Sequence, residues 1–503
     1  MSTLPRQRRR GLGLGLATAL VIGNMIGSGV FLLPSSLAKY GGISLVAWLF
    51  TAAGAILLAL VFARLGRAYP QTGGPYAYSR RAFGDFVGFQ TAWGYWIAIW
   101  AGNAAIAVAF VAYLSRFWGG LATNSLLAAA VAVSAIWLLT WVNALGVRQG
   151  GLVQAVTTVL KLVPLLAIAT IGLFFVKSAN FHPFNASGTS AFHAISAAAA
   201  LTLWAFIGLE SATVPAGDVK DPKRTIPRST MLGTLVTALV YILGTVAVMG
   251  VIPAGVLAGS NAPFADAAKE MFGGWAGDAV AIGAIISAFG ALNGWILLQG
   301  QIPMAAARDR LFPTPFARTT RAGAPVFGLV VSSVLVTGLI FMNYTKSLVD
   351  QFTFIILLAT LTTLVPYAYS AMAQLMLMAT DRAAFSARRL ATDATVALLA
   401  FGYTLWAIAG AGYEVVFKGF LLLLAGIPVY VWMRWRAVRP PEAAAVVPPL
   451  EEKGAGHRLS PTEGTGRSQR TRRGPPAVTV LLSNRDRFIA IQKYCEDITD
   501  RVL

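Results

Sequence analysis

The chain is poor in the residues from which soluble enzymes build their chemistry. Cys495 is the only cysteine in 503 residues, which excludes an intramolecular disulfide and any cysteine-based metal site. The three histidines, His182, His193 and His457, are scattered without HExxH-type spacing, so no metal or cofactor site is expected. Charge is scarce at 12% of residues, and acidic side chains number 20 against 40 basic ones. What fills the sequence is apolar: 56% of residues are hydrophobic and the mean hydropathy is +0.67. Such a composition belongs in a lipid bilayer, and the +20 net charge then reads as membrane topology and attraction to anionic headgroups rather than nucleic-acid binding.

A prior of about 150 residues per domain suggests three domains. Apolar runs nevertheless fill the chain from Leu12 to Trp435, so we expect one transmembrane domain over 12–435. It lies between a basic cytoplasmic segment, 1–11, and a linker and tail, 436–503. Runs of about 20 apolar residues are long enough to span a bilayer. Twelve are predicted, near 13–38, 42–66, 84–114, 124–144, 152–176, 191–214, 229–252, 276–300, 325–343, 351–378, 392–412 and 414–434. Alternate loops carry clusters of cations, such as Arg6 to Arg10, Arg64 with Arg67, Lys220 to Arg228, and Arg308 to Arg321. The opposite loops hold isolated ones such as Lys39, Arg116 and Lys346. By the positive-inside rule both termini face the cytoplasm.

Arg6 to Arg10 followed by an apolar run mimics a secretory signal. No small-residue cleavage pattern closes it, so it is read as an uncleaved first helix. Gly11 to Gly15 has the wrong spacing and no preceding strand for a nucleotide-binding loop. The charged stretch Asp218 to Arg224 reads as a solvated connector. Pro440-Pro441, Pro448-Pro449 and the Gly/Ser/Arg-rich region 454–476 read as a flexible linker. Beyond it, Phe488, Ile491, Tyr494 and Ile498 share a helical side within what is most simply a solvated tail.

Two spans are poor helices. In the first, Gly23-Asn24-Met25-Ile26-Gly27-Ser28-Gly29 crowds glycines and polar residues into the centre, where each glycine weakens a helix by roughly 1 kcal/mol relative to alanine. Gly23 and Gly27 alone fit a small-xxx-small packing pair. Asn24, Ser28 and Gly29 beside them favour a broken helix, whose freed backbone is tolerated at membrane depth only inside protein or against a cavity. In the sixth, Leu203 to Ser211 contains Gly208 and Glu210. A charge at a helix centre costs about 2.5–3.5 kcal/mol on insertion scales, which marks Glu210 as a functional candidate that exchanges a proton. The competing role is a structural carboxyl bonded to broken backbone.

Interruptions in spans one and six are what two five-helix repeats in inverted topology produce, with two helices added. Their meeting point at the midplane places helix N-terminal amides against an anion and unwound carbonyls against a cation. That pairing suits a zwitterion, hence an amino acid. A tryptophan face attracts a cation by roughly 0.5–2 kcal/mol, so Trp295 offers a place for a cationic side chain without a buried carboxylate.

These residues carry a family resemblance. Over about residues 10–435 the chain resembles the amino acid–polyamine–organocation superfamily, and within it is most similar to the bacterial arginine/agmatine antiporters of acid resistance. The similarity lies in Gly23 to Gly29 with Val30-Phe31-Leu32-Leu33-Pro34, Gly73-Gly74-Pro75-Tyr76-Ala77-Tyr78, Tyr95 to Asn103, Leu203 to Ala212 with Lys220-Asp221-Pro222-Lys223-Arg224, Gly294-Trp295, and Leu364-Val365-Pro366-Tyr367.

The resemblance implies an all-α membrane protein with broken helices one and six, and a homodimer. It implies that Ser28 and Gly29 meet the substrate carboxylate, and that the carbonyls of Met25, Trp204 and Ile207 meet its amino group. Trp295, Asn103 and the carbonyls of Ala98 and Ile99 are expected to meet the distal cation. Tyr95, Trp204 and Phe352 match gate or lining aromatics, and Glu210 matches a proton-responsive gate. Two positions depart from that subgroup. Ala359 replaces a serine near the distal group, and Lys161 stands in span five, where many other superfamily members carry a lysine in place of bound sodium.

The sequence thus predicts a secondary transporter of a bacterial inner membrane, importing a cationic amino acid and exporting its amine, with arginine and agmatine favoured. A proton-coupled or exchanging carrier of lysine, ornithine, putrescine or neutral amino acids is the alternative. A transporter-like sensor and a membrane enzyme are the readings of another class. An enzyme requires converging acids, nucleophiles or metal ligands, whereas the sequence shows one intramembrane carboxylate without a partner.

Overall fold

The computed structural model describes residues 12–71, 73–145, 162–214, 216 and 219–438, with the side chains of Ser28, Ala437 and Val438 left aside. The predicted tail from 439 onward, the basic segment 1–11 and the span-five residues before 162, Lys161 among them, lie outside the described residues, whereas 436–438, placed in the tail from sequence, end the last helix. The described chain is helical, and its one β contact is an isolated bridge between Leu12 and Val219.

In chain order the helices are α1 (Leu14–Met25), α2 (Ser28–Ala38), α3 (Ile43–Ala68), α4 (Pro75–Phe83), α5 (Asp85–Leu114), α6 (Gly120–Thr123) and α7 (Ser125–Leu145). The next is α8, described over Leu162–Phe175. Then come α9 (Ala191–Leu203), α10 (Pro222–Val251), α11 (Ala254–Leu257), α12 (Pro263–Phe272) and α13 (Gly274–Arg308). The last are α14 (Val326–Asn343), α15 (Leu348–Thr380), α16 (Leu390–Gly410), α17 (Tyr413–Leu424) and α18 (Gly426–Val438). Ten segments are long and apolar enough to cross a membrane, and Leu162–Phe175 and Ala191–Phe206 are shorter apolar helices. Together they fall, in order, on the twelve predicted spans.

Several boundaries differ from expectation. The seventh span begins at Pro222 rather than near 229. Pro222 occupies a first-turn position where its missing N–H costs nothing. The following turns bury Thr225, Ile226 and Pro227 while exposing Lys223, Arg224 and Arg228. The end of the presumed connector is therefore an amphipathic start to α10, invisible to a search for apolar runs. Likewise α13 runs on to Arg308 and α15 to Thr380. At 1.5 Å per residue each is about 50 Å long, well beyond a hydrocarbon core of about 30 Å. Two amphipathic helices, α4 and α12, went unpredicted. Each opens on a proline and ends at a glycine of positive φ, Gly84 at 83° and Gly273 at 90°.

Packing follows the inverted repeat. The first span packs on the seventh, α1 on α10, as the sixth packs on the second, α9 on α3. The third packs on the tenth, α5 on α15, as Gly283 of the eighth meets Pro164 of the fifth. The central post is α5, whose most apolar stretch is 89% buried, against 22% for Tyr413–Arg436 at the periphery. The two broken spans lean on that post, and this positions the site.

Candidate functional site: a cavity between two helix breaks

Helix α1 ends at Met25. Ile26 (ψ 86°) and Gly27 (φ −115°, ψ −136°) leave helical geometry, and α2 resumes at Ser28. In the sixth span α9 passes into one 3-10 turn, Trp204–Phe206. Ile207 is then extended (φ −64°, ψ 131°) and Gly208 takes φ +106°. The two breaks touch. A Cβ on Gly208 would lie 3.2 Å from the Asn24 carbonyl carbon, and Asn24 Nδ2 donates to Ser211 Oγ at 2.9 Å. Only glycine satisfies both the positive φ and this approach.

Between the breaks and α5 lies a cavity. Asn24, Met25, Gly27 and Gly29 line it from the first span, and Tyr95, Ala98, Ile99, Gly102 and Ile106 from α5. Trp204 and Ile207 come from the sixth span, and Trp295 from α13. The Trp204 indole is wedged between two glycines, since a Cβ on Gly29 or on Gly102 would lie 2.9 Å from its ring. Among the described residues, no lining side chain is charged. The polar character comes from backbone, from the Asn24 amide and from the start of α2, whose first N–H groups have no acceptor within their helix and carry the positive end of its dipole.

The amino acid permease family model matches residues 12–429. The chain belongs to this family, within the amino acid–polyamine–organocation superfamily. It is 39% identical to the cadaverine/lysine antiporter of Escherichia coli K12 over 366 residues, covering 71% of this chain and 82% of that protein. It is 33% identical to a putative arginine/ornithine antiporter of Bacillus subtilis over 455 residues, 83% of this chain and 96% of the relative. With the putrescine transporter of Haemophilus influenzae it shares 32% identity over 426 residues, 84% and 97%.

In this permease eight of the residues singled out from sequence converge on one cavity: Met25, Gly29, Tyr95, Ala98, Ile99, Trp204, Ile207 and Trp295. Ser28 opens α2, and its side chain lies outside the described atoms. Asn103, Glu210 and Phe352 are fully buried and do not line the cavity. Both lone pairs of the Met25 carbonyl are engaged, by Gly27 N–H at 2.9 Å and by the Tyr241 hydroxyl at 2.6 Å. Ala359 is buried, and the neighbouring Thr360 hydroxyl is buried without a partner among the described residues.

The sequence reading missed four lining residues. Asn24 and Gly27 belong to the motif already noticed, and Gly102 and Ile106 continue the helical face begun at Ile99, so periodicity could have found them. In the sequence Tyr367 stands out only as the end of the Leu364-Val365-Pro366-Tyr367 stretch and is given no role. Its hydroxyl donates to Glu210 Oε2, while that of Tyr95 donates to Oε1, and Gly208 N–H donates to Oε2 at 3.2 Å. Glu210 therefore does have partners, two phenols from helices far apart in sequence. Through Tyr95 the buried carboxyl is one side chain away from the cavity.

Proposed function

We propose that this permease exchanges a cationic amino acid for its decarboxylated amine by alternating access in a bacterial inner membrane. The observation that carries the reading is the cavity itself, lined by the start of a helix at Gly27 and Gly29 and by neutral side chains that include the aromatic Tyr95, Trp204 and Trp295. The amides opening α2, at Ser28 and Gly29, receive the substrate carboxylate. Carbonyls exposed by the breaks, at Trp204 and Ile207, receive the α-amino group, and Met25 contributes once Tyr241 or Gly27 yields a lone pair. The distal cation lies against Trp295, near Asn103 and the carbonyls of Ala98 and Ile99. Trp204, seated on Gly29 and Gly102, closes one side, and Phe352 belongs to the gate beyond the cavity wall. A site without a carboxylate suits exchange, because a fixed negative charge would hold a dication more tightly than a monocation and slow its release.

The side chain favoured is an ammonium, as in lysine or ornithine, exchanged for its diamine. Ala359 supplies no hydroxyl, so the distal end has one acceptor fewer than a serine there would give. An ammonium brings three donors and a guanidinium five, and unpaired donors weaken binding. The relatives are named for lysine, cadaverine, putrescine and, in one case, arginine with ornithine, which supports cationic amino acids and their amines as a class. Arginine and agmatine, the pair expected from the sequence, stand second. Glu210 acts as the proton-responsive gate: Tyr95 couples its protonation to the cavity wall.

The test is purified protein in liposomes loaded with cadaverine, putrescine or agmatine, scored for uptake of labelled lysine, ornithine, arginine and neutral amino acids. We expect uptake of cationic amino acids only when an amine is inside. Uptake into empty liposomes driven by a proton gradient would overturn exchange, and preference for a neutral substrate would overturn the cationic site.

A further inference from the structure

Asn103 is fully buried on α5, on the helical face that carries Ile99 and Ile106, both of which line the cavity. Its amide is not free to turn. Nδ2 donates to Gln299 Oε1 at 2.7 Å, and Gln299 Nε2 donates to the Leu329 carbonyl at 3.3 Å and to Ser333 Oγ at 2.8 Å. A backbone carbonyl can only accept, so Gln299 must point its nitrogen at α14 and its oxygen at Asn103. Ser333 Oγ lies 2.6 Å from Thr140 Oγ1, whose own proton goes to the Ile136 carbonyl at 2.7 Å. Ser333 is therefore the donor of that pair. Every bond in the run has a fixed direction, from α5 through α13 and α14 to α7. At its Asn103 end it leaves Oδ1, a buried acceptor with no partner among the described residues, and an unpaired buried acceptor calls for a donor that those residues do not supply.

We propose that Gln299, held by Leu329, Ser333 and Thr140, is a specificity-determining positioning residue. It locks Asn103, on the α5 face shared with the lining residues Ile99 and Ile106, so that the amide oxygen and not the nitrogen is left for the distal end of a substrate, which selects substrates ending in a cationic N–H group over those ending in apolar atoms. The inference rests on the cationic-substrate reading above. It assigns the selectivity to a residue that touches no substrate and lies one helical turn beyond Trp295.

The test is equilibrium binding to the purified full chain, comparing lysine with norleucine, which has its length and lacks the ammonium. In Gln299→Met the Asn103 amide loses its anchor and can turn its nitrogen toward the ammonium, so lysine affinity falls by at least about tenfold while norleucine changes little. Ser333→Ala, a milder change that keeps the Leu329 contact, shifts the ratio of lysine to norleucine in the same direction by about twofold to threefold and serves where Gln299→Met does not fold. An unchanged ratio in Gln299→Met and Ser333→Ala would overturn the inference, as would equal losses for both ligands. A wild-type protein that binds norleucine as well as lysine would instead contradict the cationic reading beneath it.

Discussion

Where the first span breaks, the chain leaves the helix for Ile26 and Gly27 and resumes it at Ser28; where the sixth breaks, it passes through one 3-10 turn into turns running from Ile207 to Val214. The first break thus creates a fresh helix start at the cavity, which suits an anion. The second creates a sharp reversal at Gly208 and wraps Glu210 in two tyrosines and a backbone amide. Two breaks related by a repeat are built differently: one opens the start of a helix onto the cavity, the other places a carboxyl between two tyrosines behind its wall. The glycines differ in the same way. Gly208 is required by its own backbone and by Asn24, whereas Gly29 has ordinary helical geometry and is required by the Trp204 ring.

Alanine substitutions separate these two requirements. Gly208→Ala should destabilise the fold by about 1–3 kcal/mol through its positive φ alone, read as a fall in thermal unfolding temperature in detergent. Equal stability to wild type would show that the breaks do not lock one another. Gly29→Ala should leave stability intact, since alanine suits a helix better than glycine by about 1 kcal/mol. Exchange should nevertheless fall by at least about tenfold as Trp204 is displaced, in keeping with the cost of an angstrom-scale misplacement; normal exchange would remove Trp204 from the site. Trp295→Leu should weaken lysine or arginine binding by about 0.5–2 kcal/mol and spare neutral ligands, and an equal loss for both would take the cation away from this ring. The smallest effect is expected for Asn24→Ala. Losing the bond to Ser211 should cost about 0.5–1.5 kcal/mol of stability, seen as a modest shift in unfolding.

Much of this arrangement is legible in the sequence because bilayers demand long apolar runs, and because Gly27, Gly208 and Glu210 are costly inside them. Composition and spacing place all twelve spans and both breaks. The amphipathic start of α10, and α4 and α12, escape because half of each is polar, so an apolar window averages them away. The partners of Glu210 escape for another reason. Tyr95 and Tyr367 stand 115 and 157 positions away, and only the packing of α5 and α15 around the sixth span brings them together. Gln299 likewise reads as one more polar residue in a long helix until its bonds to Asn103 and Ser333 are seen.

The central claim is that the first break binds substrate while the carboxyl behind the second sets the pH response. The most direct measurement is Glu210→Gln in amine-loaded liposomes, with cationic amino acid exchange followed from roughly pH 5 to pH 8, the range in which a proton-responsive transporter is asked to work. The account predicts that exchange persists, with substrate affinity near wild type and a flattened pH profile. A variant that keeps the wild-type pH profile, or that loses substrate binding altogether, would contradict it.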